Sequence, residues 1–177
     1  IHATDLMALK TDKVKELVRD HDIIYVYHNV IDATGDASKT EDAVFEATER
    51  ALEQLSNLVR KLTSGNAKQL ILTCDHGFIY QHRKITDSDY LNEKPSGDIQ
   101  LLDRRFVIGE KLQETENFKK FSAEQLGIGG TKEILFPKSI NRLRKSGSGA
   151  RYVHGGLSLQ EIVLPVLKIR KGEVGDV

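Results

Sequence analysis

Three short polar clusters in the sequence carry the side chain types that hold divalent metals. His28, Asp32 and Asp36 lie in HNVIDATGD, Asp75 and His76 in LTCDHGF, and His154 opens HGGLSLQE. Carboxylates and neutral imidazoles are ligands for zinc and manganese, whereas aspartates alone favour magnesium. Each residue also has a plainer reading. Asp32 and Asp36 are suited to Asx turns or to capping a following helix, Asp75 to capping a turn, and His154 to an ordered loop. For His28 a packed ring with a local hydrogen bond is the preferred reading, and Cys74 reads as a small core hydrophobe. Coincidence favours the metal reading. Three separate loops, each expected at the same edge of one sheet, supply chemically compatible ligands, and ligands of open α/β sheets bind beyond the carboxyl ends of the strands. A fourth cluster, Arg142, Arg144, Lys145 and Arg151, lies in the glycine-rich stretch INRLRKSGSGAR. It reads either as a solvated charged loop or as a clamp for phosphate oxygens or a nucleic-acid backbone.

The elements that must position these residues follow from hydrophobic period. IIYVY, Ile23 to Tyr27, is an apolar run without alternation, as expected of a strand covered on both faces in a parallel sheet. Val44, Ala47, Ala51, Leu55, Leu58 and Leu62 recur at helical spacing and define a long amphipathic helix. Ser38 and Glu41 form its expected capping box, and Gly65 its terminator. KQLILTC, Lys68 to Cys74, is a second buried strand candidate, and together these predict a right-handed βαβ unit. Before them, Thr11 is placed to cap a helix carrying Val14, Leu17 and Val18. After Phe78 the pattern weakens. Residues 79–103 are mostly polar, contain Pro95 and Gly97, and read as a surface insertion. RRFVIG, part of the stretch from Phe118 to Leu126, and EILFP ending at Pro137 are strand candidates. Near the end, Ser158 with Glu161 predicts a short capped helix, followed by a strand through Val166 to Ile169. The fold class expected is α/β, a mostly parallel sheet flanked by helices, in a single domain over residues 1–177.

Composition removes several function classes. Of 177 residues, 39% are hydrophobic, and 26 basic side chains balance 26 acidic ones, so the composition is not that of a disordered chain, and the zero net charge neither forbids nucleic acid as a partner nor supports it. No apolar run approaches the roughly 18 residues of a membrane span, and no basic-then-apolar leader opens the chain. A single cysteine excludes an internal disulfide framework and any cysteine-rich zinc module. No membrane partner and a cytoplasmic location are therefore expected.

YHNVIDATGD, the long helix, the strand ending in DHGF, and HGGLSLQEIVLPVL together resemble the PglZ domain, a family of the alkaline phosphatase superfamily found in phage-resistance systems of bacteria and archaea. The resemblance runs over essentially the whole chain. It implies an alkaline-phosphatase-like fold and, in an intact parent, two divalent ions (Zn, Mn or Mg) acting on a phosphoester substrate. Asp32, Asp36 and His154 correspond to the ligands of one ion. Asp75 and His76 correspond to part of the second set, which also needs an early aspartate and a serine or threonine nucleophile. Most of the superfamily has histidine where Asp36 stands, and a carboxylate there shifts preference toward manganese or magnesium. No strand ending in an aspartate with a downstream hydroxyl precedes Asp32. The chain is therefore expected to be the carboxyl-terminal part of a larger PglZ protein, lacking the upstream part of the fold and the nucleophile, inactive alone and with a loosely held metal. The expected partners are other proteins of the resistance system. A non-catalytic scaffold in the defence complex is the alternative function, with a nucleic-acid-binding module ranked last.

Overall fold

The computed structural model describes residues 1–37, 39–147 and 149–172. Its helices are α1 (Ala3–Ala8), α2 (Thr11–Asp20), α3 (Val30–Gly35), α4 (Val44–Ser64) and α5 (Leu159–Ile162). Its strands are β1 (Gln69–Leu72), β2 (Ile79–Tyr80), β3 (Asp98–Leu102), β4 (Val107–Glu110), β5 (Phe118–Ser122), β6 (Glu133–Pro137), β7 (Tyr152–Val153) and β8 (Leu167–Arg170). The chain divides into two compact units. The first holds Ile1–Thr34, Ala43–Cys74 and the chain from Pro165 on; the second holds Gly35–Asp42 and Asp75–Leu164. Among the described residues, no helix is long and apolar enough to cross a membrane.

The first unit is built on α4, whose apolar stripe is the one the spacing predicts. Val44, Ala47, Ala51, Leu58 and Leu62 are buried, and Leu55 packs against the core that holds Leu58 and Leu62. Leu58 and Leu62 share that core with Ala3 and Leu6 of α1 and Val14 of α2. The Lys61 ammonium donates to the carbonyls of Met7 and Leu9 at 2.6 Å each, satisfying acceptors that the end of α1 leaves open. The predicted Ser38 member of the capping box lies outside the described residues. Glu41 sits in a 3-10 turn ahead of α4, and Ala43 is the N-cap. The cap of α2 is Lys10 rather than Thr11, one residue earlier than expected.

Gly65 does end α4, but for a reason of space. Its φ is −80°, open to any residue, and the left-handed position falls on Asn66 at φ 72°. A Cβ on Gly65 lies 2.5 Å from Val14 Cγ1. Val14 is fully buried and β-branched, so it has little rotamer freedom to yield. Gly65→Ala is therefore expected to lower stability by about 1–3 kcal/mol through overpacking, despite alanine's better helix propensity. The urea midpoint checks this; an unchanged or raised midpoint defeats the spatial explanation.

The mostly parallel sheet is overturned. Every ladder between the strands named above is antiparallel, β1 with β8, β2 with β7, and β3-β4-β6-β5 in that order. IIYVY forms no ladder with β1. It is extended and held by the chain start: the Ile1 ammonium donates to Tyr25 O, and the amides of Tyr27 and Ala3 donate to Ile1 O and Tyr27 O respectively. Its burial alternates, with Ile23, Tyr25 and Tyr27 at 70%, 69% and 61% exposure, and Ile71 of β1 is 67% exposed. A run apolar at every position thus has one open face, which periodicity alone does not distinguish from two covered ones.

The second unit centres on the four-stranded sheet, with Val107, Leu112, Phe118, Leu135 and Leu143 forming its core. Residues 79–103 supply β2, a 3-10 turn at Asp87–Asp89 and the edge strand β3. Asp89, in that turn, is buried. Its carboxylate accepts from both Arg83 guanidinium nitrogens (2.6 and 2.8 Å), the Thr86 amide (2.8 Å) and Gln81 (3.1 Å). Arg83, then the Thr86 amide, then Gln81 hold its pKa far below the usual carboxylate range. A depressed folded pKa contributes stability above the unfolded value that is lost as pH falls below it. Asp89→Asn is therefore expected to flatten the fall in Tm below about pH 4. Thermal melts across the acid range check this; parallel curves for the two proteins contradict it.

Candidate metal centre

The centre of the second unit is set by close backbone approaches. Gly35, at the end of α3, lies on the Tyr152 ring so closely that a Cβ there overlaps the ring carbons. Tyr152 in turn packs on Phe78, with centroids 4.8 Å apart. This aromatic floor fixes the next residue, Asp36, beside His154: Asp36 Oδ1 stands 3.4 Å from His154 Nε2. The His76 ring stacks on the His154 ring, with centroids 4.2 Å apart and planes 13° from parallel. His76 Nδ1 lies 3.1 Å from the Gly77 carbonyl. A carbonyl only accepts, so in the neutral ring this contact puts the proton on Nδ1 and leaves Nε2 the lone pair a metal needs.

The 3.4 Å separation of Asp36 and His154 admits two readings. A charge-assisted hydrogen bond is about 2.7–2.9 Å long, whereas two donors about 2.0–2.1 Å from one tetrahedral ion stand about 3.3 Å apart. That spacing is compatible with two ligands of one ion and equally with a long ion-pair contact. Asp75 is placed differently. Its side chain is 91% exposed, its Oδ1 accepts from the amide of His76 at 3.1 Å, and its Oδ2 is 3.9 Å from His76 Nε2. Asp32 lies in the first turn of α3, and Asp36 directly follows the end of that helix. Within the second unit, His76 and His154 bring two imidazoles, ligand types suited to a divalent ion, side by side. His28, by contrast, bonds Gln54 of α4 at 2.7 Å.

The basic loop is engaged with the protein itself. Arg142 is buried and donates to the carbonyls of Ala150 (2.6 Å) and Arg151 (3.2 Å). Arg144 pairs with Asp87 at 3.1 Å and lies over the Tyr90 ring. Lys145 bonds Asp103 at 2.6 Å. Burial opposes charge on Asp103, yet Lys145 and the Arg104 amide keep its carboxyl below the usual range, with the nearby His154 acting in the same direction. Arg151 pairs with Asp42 and donates to the carbonyls of Gln81 and His82.

In the sequence, Ser158 and Glu161 read only as a helix cap. The structure shows the capping box and a further role. Glu161 is 2% exposed, and both its oxygens meet the buried Arg105 at 2.9 Å. The available signal was an arginine inside the strand candidate RRFVIG, where a buried cation requires a buried anion.

No solved structure matches this chain. Two curated relatives do. It is 40% identical over 174 residues to the alkaline phosphatase-like protein BrxZ of Escherichia coli O9:H4 (strain HS). It is 38% identical over 172 residues to the alkaline phosphatase-like protein PglZ of Bacillus cereus (strain H3081.97). Each alignment covers 96% of this chain and 20% of the relative, so the chain spans about one fifth of the length of these relatives. The family model for the BREX system PglZ alkaline phosphatase-like domain matches residues 1–169, taking in all three polar clusters. With histidines, aspartates and framework all inside that match, the chain belongs to the PglZ alkaline phosphatase-like domain family.

Proposed function

We propose that this chain carries the late half of a divalent-metal site for phosphoester hydrolysis, in a protein of a phage-resistance system of the BREX kind. The observation that carries the reading is the His76–His154 stack with Asp36 3.4 Å from His154. Asp32, Asp36 and His154 are assigned to one ion, and Asp75 with His76 to a second, with manganese, zinc or magnesium as the metal. When bound, the ions supply charge stabilisation at phosphorus and lower the pKa of a coordinated nucleophile. The chain's own residues do the holding. The Gly77 carbonyl fixes the His76 tautomer, and Asp36 beside His154 supplies a hard oxygen donor that suits manganese or magnesium. The nucleophile is assigned to a part of the full-length protein upstream of this chain, and the partners to other proteins of the same system. Arg144, the more exposed arginine, is the proposed phosphate contact of the basic loop, because Arg142 and Arg151 would each first have to give up two carbonyl bonds.

The test uses the full-length protein beside its Asp36→Ala and His154→Ala variants, measuring bound metal and hydrolysis of aryl phosphate mono- and diesters with added manganese or zinc. Tight metal with turnover lost in both variants supports the reading. Neither metal nor turnover in the unaltered protein refutes it and leaves a non-catalytic platform in the defence complex.

A further inference from the structure

The two imidazoles come from loops far apart in sequence, and one residue ties both. Glu161 Oε1 accepts from the Gly156 amide at 2.9 Å, two residues beyond His154. Its main-chain carbonyl accepts from the Gly77 amide at 2.8 Å, one residue beyond His76. Gly77 passes so close to the Gln160 carbonyl that a Cβ there overlaps the oxygen. Gly155, between His154 and Gly156, has φ +87° and faces the Phe106 ring, where a Cβ meets Cε1 at 2.9 Å. Neither loop therefore has room to shift while Glu161 stays in place.

Arg105 keeps it in place. It lies in the turn between β3 and β4, is fully buried, and grips both Glu161 oxygens in a parallel fork. Its remaining nitrogen donates to the carbonyls of Ser139 (3.0 Å) and Asn141 (2.6 Å). The Ser158 hydroxyl and amide complete the carboxylate shell at 2.7 and 3.2 Å. The four-stranded sheet thus reaches the histidines through one ion pair. We propose that Glu161, anchored by Arg105, is the positioning residue that sets the spacing and stacking of the His76 and His154 imidazoles. Its consequence for metal affinity rests on the metal reading above; its consequence for the rings does not.

The test reads the rings directly, in the full chain labelled at histidine and free of metal. Glu161→Gln keeps the side chain's size, but its amide turns donors toward the Arg105 or Ser158 donors. It is expected to abolish the nuclear Overhauser effect between the His76 and His154 rings and to shift both sets of ring signals. Leu135→Ala, a core truncation in the same unit, serves as a control for general destabilisation and is expected to leave those signals in place. Gly77→Ala tests the main-chain tie with the ion pair intact, so the question stays answerable if Glu161→Gln does not fold. A folded Glu161→Gln or Gly77→Ala protein whose ring signals and Overhauser effect are unchanged overturns the proposal. In a second arm, cobalt(II) serves as the metal probe, and its Kd is expected to rise about 10–100-fold in Glu161→Gln. If the variants separate the rings while the unaltered protein binds no cobalt, the positioning role stands and the metal reading is refuted instead.

Discussion

Arg105→Met is expected to cost about 3–5 kcal/mol, a large share of the net stability of a domain. The substitution leaves the Glu161 carboxylate in a site with 2% exposure and no countercharge. Burial alone pushes that carboxyl up, and it is the Arg105 fork, with Ser158 and the Gly156 amide, that brings it below the usual range. Glu161→Met should cost a similar amount by orphaning the guanidinium. Buried ion pairs can often be replaced by apolar residues at little cost, but this one has further dependents. The amides of Gly156 and Ser158 and the carbonyls of Ser139 and Asn141 all lose partners when both charges go. Each such group left unpaired costs about 1–3 kcal/mol. The double variant should therefore stay well below the unaltered protein while lying within about 2 kcal/mol of either single one. Chemical denaturation of the four proteins closes the cycle. Additive losses would show that the two side chains act separately, and full recovery that the hydrogen-bonded shell contributes nothing.

The same pair shows what the sequence reveals and what it conceals. Local features were legible: the α4 stripe from Val44 to Leu62, the β6 strand ended by Pro137, and the Ser158–Glu161 box each follow from spacing within a few residues. The aspartate and histidine clusters were legible as candidates, and the structure stacks two of their members, His76 and His154. Strand direction was not. Ile23 to Tyr27 and Leu70 to Leu72 carry the residues of buried parallel strands, yet the first forms no ladder with the second, and β1 pairs antiparallel with β8 almost a hundred residues later. A strand's composition reports what it can cover, while its partner is chosen by long-range closure that no local pattern encodes. Gly65 makes the same point on a smaller scale. A helix terminator is expected to be glycine for its backbone freedom, and here it is glycine because Val14 occupies the space a Cβ needs. The double duty of Glu161 was hidden for a related reason: a cap within three residues explains the motif fully, so nothing local asks for Arg105.

Saturating manganese or zinc is expected to raise the Tm of the chain, and His154→Ala to remove the rise. An ion present at a hundred times its Kd adds about 2.7 kcal/mol. For a chain of this length that corresponds to roughly 5–11 °C, reversed by chelation. The variants should not respond alike, and their ranking separates the geometry from the ligand assignment drawn from sequence. His154 is the residue that both Asp36 and His76 approach, so its loss dismantles the group. Asp36→Asn should remove most of the shift, because a neutral amide beside His154 is a weak ligand. Asp75→Ala should keep more than half of it, because that carboxylate points largely to water and accepts from its own neighbour's amide. Differential scanning calorimetry with and without chelator reads all four proteins on one scale. Each variant's metal-free Tm serves as its own baseline, so a general loss of stability is not mistaken for a lost ligand. A shift that survives His154→Ala would place the ion elsewhere in the chain. Equal losses in Asp36→Asn and Asp75→Ala would mean that the loop carrying Asp75 turns inward when metal binds, giving that carboxylate the ligand role its sequence position suggests.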